Sequence, residues 1–174
     1  MDSAERSGCF SKPLPEPTSC AQLVALNEEF YCLGGKHWTD GMCGMFTKAC
    51  ACCLIFSPRT GEWRGAPPMR EARYFPATCA CNGKLYAFGG LKFGEFEVLS
   101  SECYNPRNNR WTILPQMPVT CHGANAVTVG DEIFICGGAV MTWPSPIDFI
   151  QVYHTVRREC AYYRPSCRTA RPLP

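Results

Sequence analysis

Short apolar runs, each closed by a pair of glycines, recur along this chain: FYCLGG ends at Gly35, LYAFGG at Gly90 and IFICGG at Gly138. Within them Leu85–Phe88 and Ile133–Cys136 do not alternate apolar with polar positions, which predicts strands buried on both faces, as in a sheet flanked by other sheets. Ahead of the second run, ATCAC leads through Asn82–Gly83 into LYAFGG, the strongest short-range sign of a two-stranded hairpin. ANAVTV, GDE and IFICGG repeat that arrangement. A third strand covers roughly Leu99–Tyr104 and stops at Pro106, and a fourth begins near Trp111. Helical periodicity is absent throughout, so the pattern predicts an all-β protein of short antiparallel strands.

The spacing is regular. Trp63 and Trp111, Met69 and Met117, and Gly90 and Gly138 each stand 48 residues apart without a gap. Phe56 with Tyr104 and Pro58 with Pro106 keep the same offset, in CLIFSPRTGEW against SECYNPRNNRW. A unit of four short strands, a diglycine, an aromatic–x–Pro turn and a tryptophan is the habit of a propeller blade. These motifs resemble kelch repeats over roughly residues 22–153, and SSECYNPRNNRWTILPQMP is particularly similar to the kelch-like (BTB-kelch) adaptor branch. The resemblance implies an all-β, partial kelch-type β-propeller of about two to three four-stranded antiparallel blades. Rings of that family close with five or more blades, and no BTB-like segment precedes the repeats here. The resemblance also implies that the diglycines sit where backbones crowd and that the tryptophans pack between blades.

The repeats divide as approximately 22–66, 67–115 and 116–153. The first carries a longer loop, KHWTDGMCGMFTK. The third reaches Tyr153, the match of Tyr104, but Cys160 occupies the place of the expected tryptophan. Residues 1–21, with Pro13, Pro15 and Pro17, read as a flexible leader. Residues 154–174, with five arginines against one glutamate, read as a basic, disordered tail.

Composition adds little. The 174 residues are 46% hydrophobic and 18% charged, with a net charge of +2, which favours neither a polyanion nor a membrane as partner. The longest apolar run, ACACCLIF, is too short to cross a bilayer, and MDSAERSGCF is no secretory signal. A cytoplasmic location is expected, where fourteen cysteines are free thiols rather than a disulfide framework. Cys50, Cys52, Cys53, Cys79 and Cys81 have a partial zinc-site spacing but read as small apolar fillers on strands. No metal or cofactor is called for. His37, His122 and His154 lie in loops or the tail and belong to no nucleophile motif, and no P-loop, G-x-S-x-G or H-E-x-x-H occurs. A non-enzymatic protein is expected.

Recognition residues of propellers concentrate on the loops at one end. By resemblance to kelch-like adaptors, two loop sets matter. After the diglycines come Lys36, His37 and Trp38, then Lys92, Phe93 and Phe96, then Trp143. Between blades come Arg70, Arg73 and Tyr74, then His122. Arginines and exposed aromatics dominate interface hot spots, and an Arg70/Arg73 pair suits an acidic peptide. The resemblance thus implies a protein-interaction module like the substrate-recognition propeller of cullin-based ubiquitin ligase adaptors, without ligase recruitment of its own. The alternative is a cytoskeletal, actin-type scaffold. Nucleic acid and membrane are not expected partners, and open propeller edges are expected to favour self-association.

Overall fold

A computed structural model describes residues 12–38, 47–92, 94, 96–141 and 147–163. Among the described residues the sheets are built from β-strands, and the main ones form three successive four-stranded antiparallel sheets. The first contains β1 (Gln22–Leu26), β2 (Glu29–Leu33), β5 (Cys53–Ser57) and β6 (Glu62–Ala66). The second contains β7 (Ala77–Cys81), β8 (Lys84–Phe88), β11 (Ser101–Asn105) and β12 (Arg110–Leu114). The third contains β13 (Asn125–Val129), β14 (Glu132–Cys136), β15 (Ile150–His154) and β16 (Glu159–Tyr163). Two small ribbons, β3 (Lys36–Trp38) with β4 (Thr47–Ala49) and β9 (Leu91–Lys92) with β10 (Phe96–Glu97), sit between the second and third strands of the first two sheets. The all-β, blade-like reading holds. The hairpin at Asn82–Gly83 has positive φ at both residues, 50° and 68°, as a type I′ turn requires.

The blades stack face to face, with first strands β1, β7 and β13 side by side. Side chains alternate across a strand, so β8 serves two interfaces. Leu85 and Ala87 point into a core with Val24, Tyr31, Leu33 and Ile55 of the first blade. Tyr86 and Phe88 point the other way, against Ile133, Ile135 and Tyr153 of the third. This is why Leu85–Phe88 is buried without alternation. Each such Leu or Phe contributes about 1.5–3 kcal/mol by burial. Trp111 lies in the first of these interfaces, with its Nε1–H donating to the Pro67 carbonyl at 2.8 Å.

β14 differs from β8. Its residues alternate between buried and half-buried, because among the described residues no element packs on the outer face of the third blade. Val127 (56% exposed) and Val129 (63%) lie on that face.

The third repeat continues past Tyr153. β16 closes the blade, with Tyr153 opposite Cys160 in the register that pairs Tyr104 with Trp111 and Phe56 with Trp63. The expected boundary at 153 therefore moves to 163. The expected tail from 154 onward is a turn over 155–158 and then strand β16 as far as Tyr163, and residues 164–174 fall outside the described residues. The leader is likewise not free over its described part. The Lys12 carbonyl accepts from Trp63 Nε1 at 3.0 Å, Lys12 Nζ reaches Glu62 at 2.9 Å, and Ser19 bridges to Lys36.

Candidate interaction face

Antiparallel order puts the hairpin turns at one end of the stack and the diglycines, ribbons and lead-in loops between blades at the other. Three isolated bridges knit this second end together: Ser19 with Lys36, Tyr74 with Leu91 and His122 with Ala139. In each, the residue after a diglycine pairs with the loop that leads into the same blade. The two loop sets singled out in the sequence are thus neighbours.

The diglycines anchor adjacent blades. The Gly35 amide donates to the Arg73 carbonyl at 2.8 Å, and the Gly90 amide to the Cys121 carbonyl at 2.9 Å. Gly89 has φ 59°, and a Cβ there would run into the Cys121 carbonyl. At Gly137 nothing among the described residues lies within 4 Å of the Cβ position, because no further lead-in loop packs there.

Arg73 is not a surface residue. Its side chain is fully buried, and the expectation that it pairs with Arg70 on the surface is corrected. Its guanidinium donates to Glu102 Oε1 at 2.6 Å, to the Gly89 and Ser100 carbonyls at 2.9 and 2.8 Å, and to Ser100 Oγ at 2.8 Å. Glu102 also accepts from the Arg70 and Glu71 amides at 2.8 and 3.1 Å. This network locks the second lead-in loop to its own blade. Burial lowers the Arg73 pKa, and the charge of Glu102 opposes that shift. Tyr74 is likewise removed from the exposed set at 2% exposure, its ring carrying the Lys36 ammonium at 5.1 Å.

Arg70, Lys92 and Phe96 are exposed, and Lys36, His37 and His122 are half-buried. Lys92 lies 3.5 Å from Glu71, whose carboxylate also accepts from Ser100 Oγ. The Ser100 bond chiefly holds the Glu71 pKa below the usual carboxylate range. His122 Nδ1 is 3.8 Å from Glu97, which accepts from Thr120 Oγ1 at 3.0 Å and the Met141 amide at 2.7 Å. Phe93, Trp143 and the Trp38 side chain lie outside the described residues. Sequence reasoning missed Phe75 and Met141, which are 37% and 51% exposed at this end.

The cysteines part company. Cys53 faces the first interblade core, and Cys79 and Cys81 the second, so the five cysteines considered together do not meet. Cys50 and Cys52 form a disulfide, which corrects the expectation of free thiols at these two positions. It lies beside His37, at the edge of the same face.

Comparison with known proteins agrees with this architecture. The model of the Kelch motif matches residues 17–70 and 72–118. Among curated relatives, Kelch repeat and BTB domain-containing protein 8 of Xenopus tropicalis is 30% identical over 79% of this chain and 23% of its own length. Kelch-like protein 38 of Mus musculus is 30% identical over 79% of this chain and 23% of its own. The chain therefore spans about a quarter of the length of these relatives. The solved structure of YjhT superposes with a TM-score of 0.74 over 88% of this chain and 54% of its own, at 15% identity, and shares the fold. Blade order, diglycine geometry and the matched motif agree that this chain belongs to the Kelch motif family.

Proposed function

We propose that the chain is a non-enzymatic protein-recognition module that acts in the cytoplasm, and that its lead-in loops and ribbons hold a target protein. The convergence of both loop sets at one end carries this reading, with Arg70, Lys92 and Phe96 exposed beside half-buried Lys36 and His37. Rigid blades beneath mobile-sequence loops are how propellers present recognition residues. Exposed cations beside an aromatic suit an acidic peptide segment of the target. By its likeness to BTB-kelch proteins, the module selects the substrate of a ubiquitin ligase. The uncovered face of the third blade, with Val127 and Val129, is the surface through which two copies associate.

Photo-crosslinking tests the reading. A crosslinker placed at Arg70 or Lys92 in cells is expected to yield discrete protein adducts, while one at Asn108, in a turn at the opposite end, yields none. Equal labelling from both ends contradicts it. Co-sedimentation with actin filaments that survives Arg70→Glu and Lys92→Glu would favour the scaffold alternative instead.

A further inference from the structure

The first repeat departs from the other two at one cluster. The Gly35, Gly90 and Gly138 carbonyls accept from the amides of Cys50, Val98 and Ile147, which makes these three positions equivalent. Two residues further on stand Cys52, Ser100 and Phe149. Two residues past the second glycine stand His37, Lys92 and Val140. Three residues before the bridged lead-in residues Ser19, Tyr74 and His122 stand Glu16, Glu71 and Val119. In the second repeat Glu71, Lys92 and Ser100 make an ion-pair and hydroxyl cluster. In the third the places are apolar. In the first they hold Glu16, His37 and Cys52, with Cys50 in the place of Val98. Relative to the second repeat the glutamate is kept, while the lysine, serine and valine places become histidine, cysteine and cysteine, all residue types that ligate metal.

The structure holds these groups together in the oxidised form, with the two sulfurs joined as a disulfide. One His37 ring nitrogen and the sulfurs of Cys50 and Cys52 lie within 4.8 Å of one another. His37 Nε2 is 3.9 Å from Cys52 Sγ and 3.6 Å from Glu16 Oε2. Donor atoms around a tetrahedral zinc ion stand about 3.3–3.8 Å apart, from bonds of about 2.0–2.3 Å. His37 Nδ1 is 3.1 Å from the Pro17 carbonyl, which can only accept. Nδ1 therefore donates to it, and in the neutral ring this leaves Nε2 as the nitrogen that faces a sulfur and a carboxylate, the outer-shell arrangement that orients a metal-bound imidazole. The Cys52 amide donates to Cys50 Sγ at 2.9 Å, so this sulfur is held at the turn. Thr18 and Leu54 stand where Arg73 and Glu102 fill the second repeat, and a cavity of about 130 Å³ opens here beside Glu16, His37 and Cys52.

The geometry points to a binding site for a zinc-class divalent cation in the reduced protein, held by the thiolates of Cys50 and Cys52, Nε2 of His37 and the carboxylate of Glu16. The disulfide is the metal-free, oxidised form of the same site. Two molecules of a monothiol reductant of the glutathione class open it. The Cys50–Cys52 bond breaks, two S–H bonds form, and the reductants leave joined as one disulfide. Metal binding then releases the two thiol protons.

Titration of the reduced, metal-free 174-residue chain with Co²⁺ under argon tests the site. A thiolate-to-cobalt charge-transfer band with tetrahedral d–d bands, saturating at one equivalent and displaced by Zn²⁺, is expected. Cys52→Ser and His37→Lys take the residues of the equivalent positions in the second repeat, so folding is retained, as far-UV circular dichroism will verify. Each is expected to abolish the one-equivalent band, and oxidation to the disulfide to do the same. Cys53→Ser is expected to leave it intact. No band in the reduced chain, or a band surviving both Cys52→Ser and His37→Lys, overturns the proposal.

Discussion

Arg73 and Glu102 meet at 2.6 Å with neither side chain exposed, and the third repeat replaces both partners together. There Cys121 takes the place of Arg73 and Gln151 that of Glu102. Gln151 still accepts from a lead-in amide, that of Val119, at 2.9 Å, and its own amide approaches Cys121 Sγ at 3.9 Å. The pair is thus a lock between a loop and its blade that works in a charged or a neutral version. Removing one partner strands a buried charge. Glu102→Gln or Arg73→Cys alone is expected to destabilise the chain by about 3–5 kcal/mol. The double change, which copies the neutral version, is expected to cost clearly less than the sum. Urea denaturation of the four proteins measures the coupling.

The first glycines of the second and third diglycines separate space from strain. Gly89 and Gly137 both have positive φ, 59° and 72°, but only Gly89 faces a carbonyl. Gly137→Ala is expected to cost about 1–2 kcal/mol from backbone strain. Gly89→Ala adds displacement of the Cys121 carbonyl and is expected to cost more and to loosen the third blade. Equal costs in thermal denaturation would show that the blades do not dock through this contact.

Buried thiols give an alkaline signature. Burial pushes Cys53 and Cys79 up to about 12 and Cys121 to about 11. Their folded pKa values lie above the unfolded ones, so their stabilisation is complete below the ordinary thiol pKa of about 8.5 and is lost as pH rises through and beyond it. Stability is expected to fall on alkaline titration, and less steeply in Cys79→Ala. Because the thiolate is the reactive form, these cysteines are also expected to resist iodoacetamide in the native protein. Peptide mapping after native labelling reads this directly.

Glu71 gives the opposite sign. The Ser100 hydroxyl lowers its folded pKa, so its contribution is present above the unfolded carboxylate pKa and lost as pH falls through the folded one. Glu71→Gln is expected to flatten the acid limb of the stability curve. Chemical denaturation across the carboxylate range checks it.

Residue pattern carried much of this architecture, because the period lives in residues with one structural job. Gly90 and Gly138 head toward a neighbouring backbone, and Trp111 fills an interblade gap. Where that job lapses, the pattern goes silent. Cys160 does not mark β16 as Trp111 marks β12, since hydrogen-bonded pairing with Tyr153 needs no particular side chain. Arg73 misled for a related reason. Arginine is usually exposed, and its partner Glu102 lies 29 residues away, across a ribbon. The joint exchange of Arg73 with Cys121 and Glu102 with Gln151 was the available signal. The Glu16, His37, Cys50 and Cys52 cluster was hidden similarly, its members being brought together by backbone bridges rather than by spacing.

Hydrogen exchange on the intact chain, read by mass spectrometry, tests the stacked three-blade account most directly. The account predicts slow exchange in β8 and β11 and comparably slow exchange in β14 and β15, since each has a partner strand on both sides. Exchange in β14 and β15 as fast as in the turns would contradict it, because the third blade, and with it the face its loops complete, would then not exist in solution.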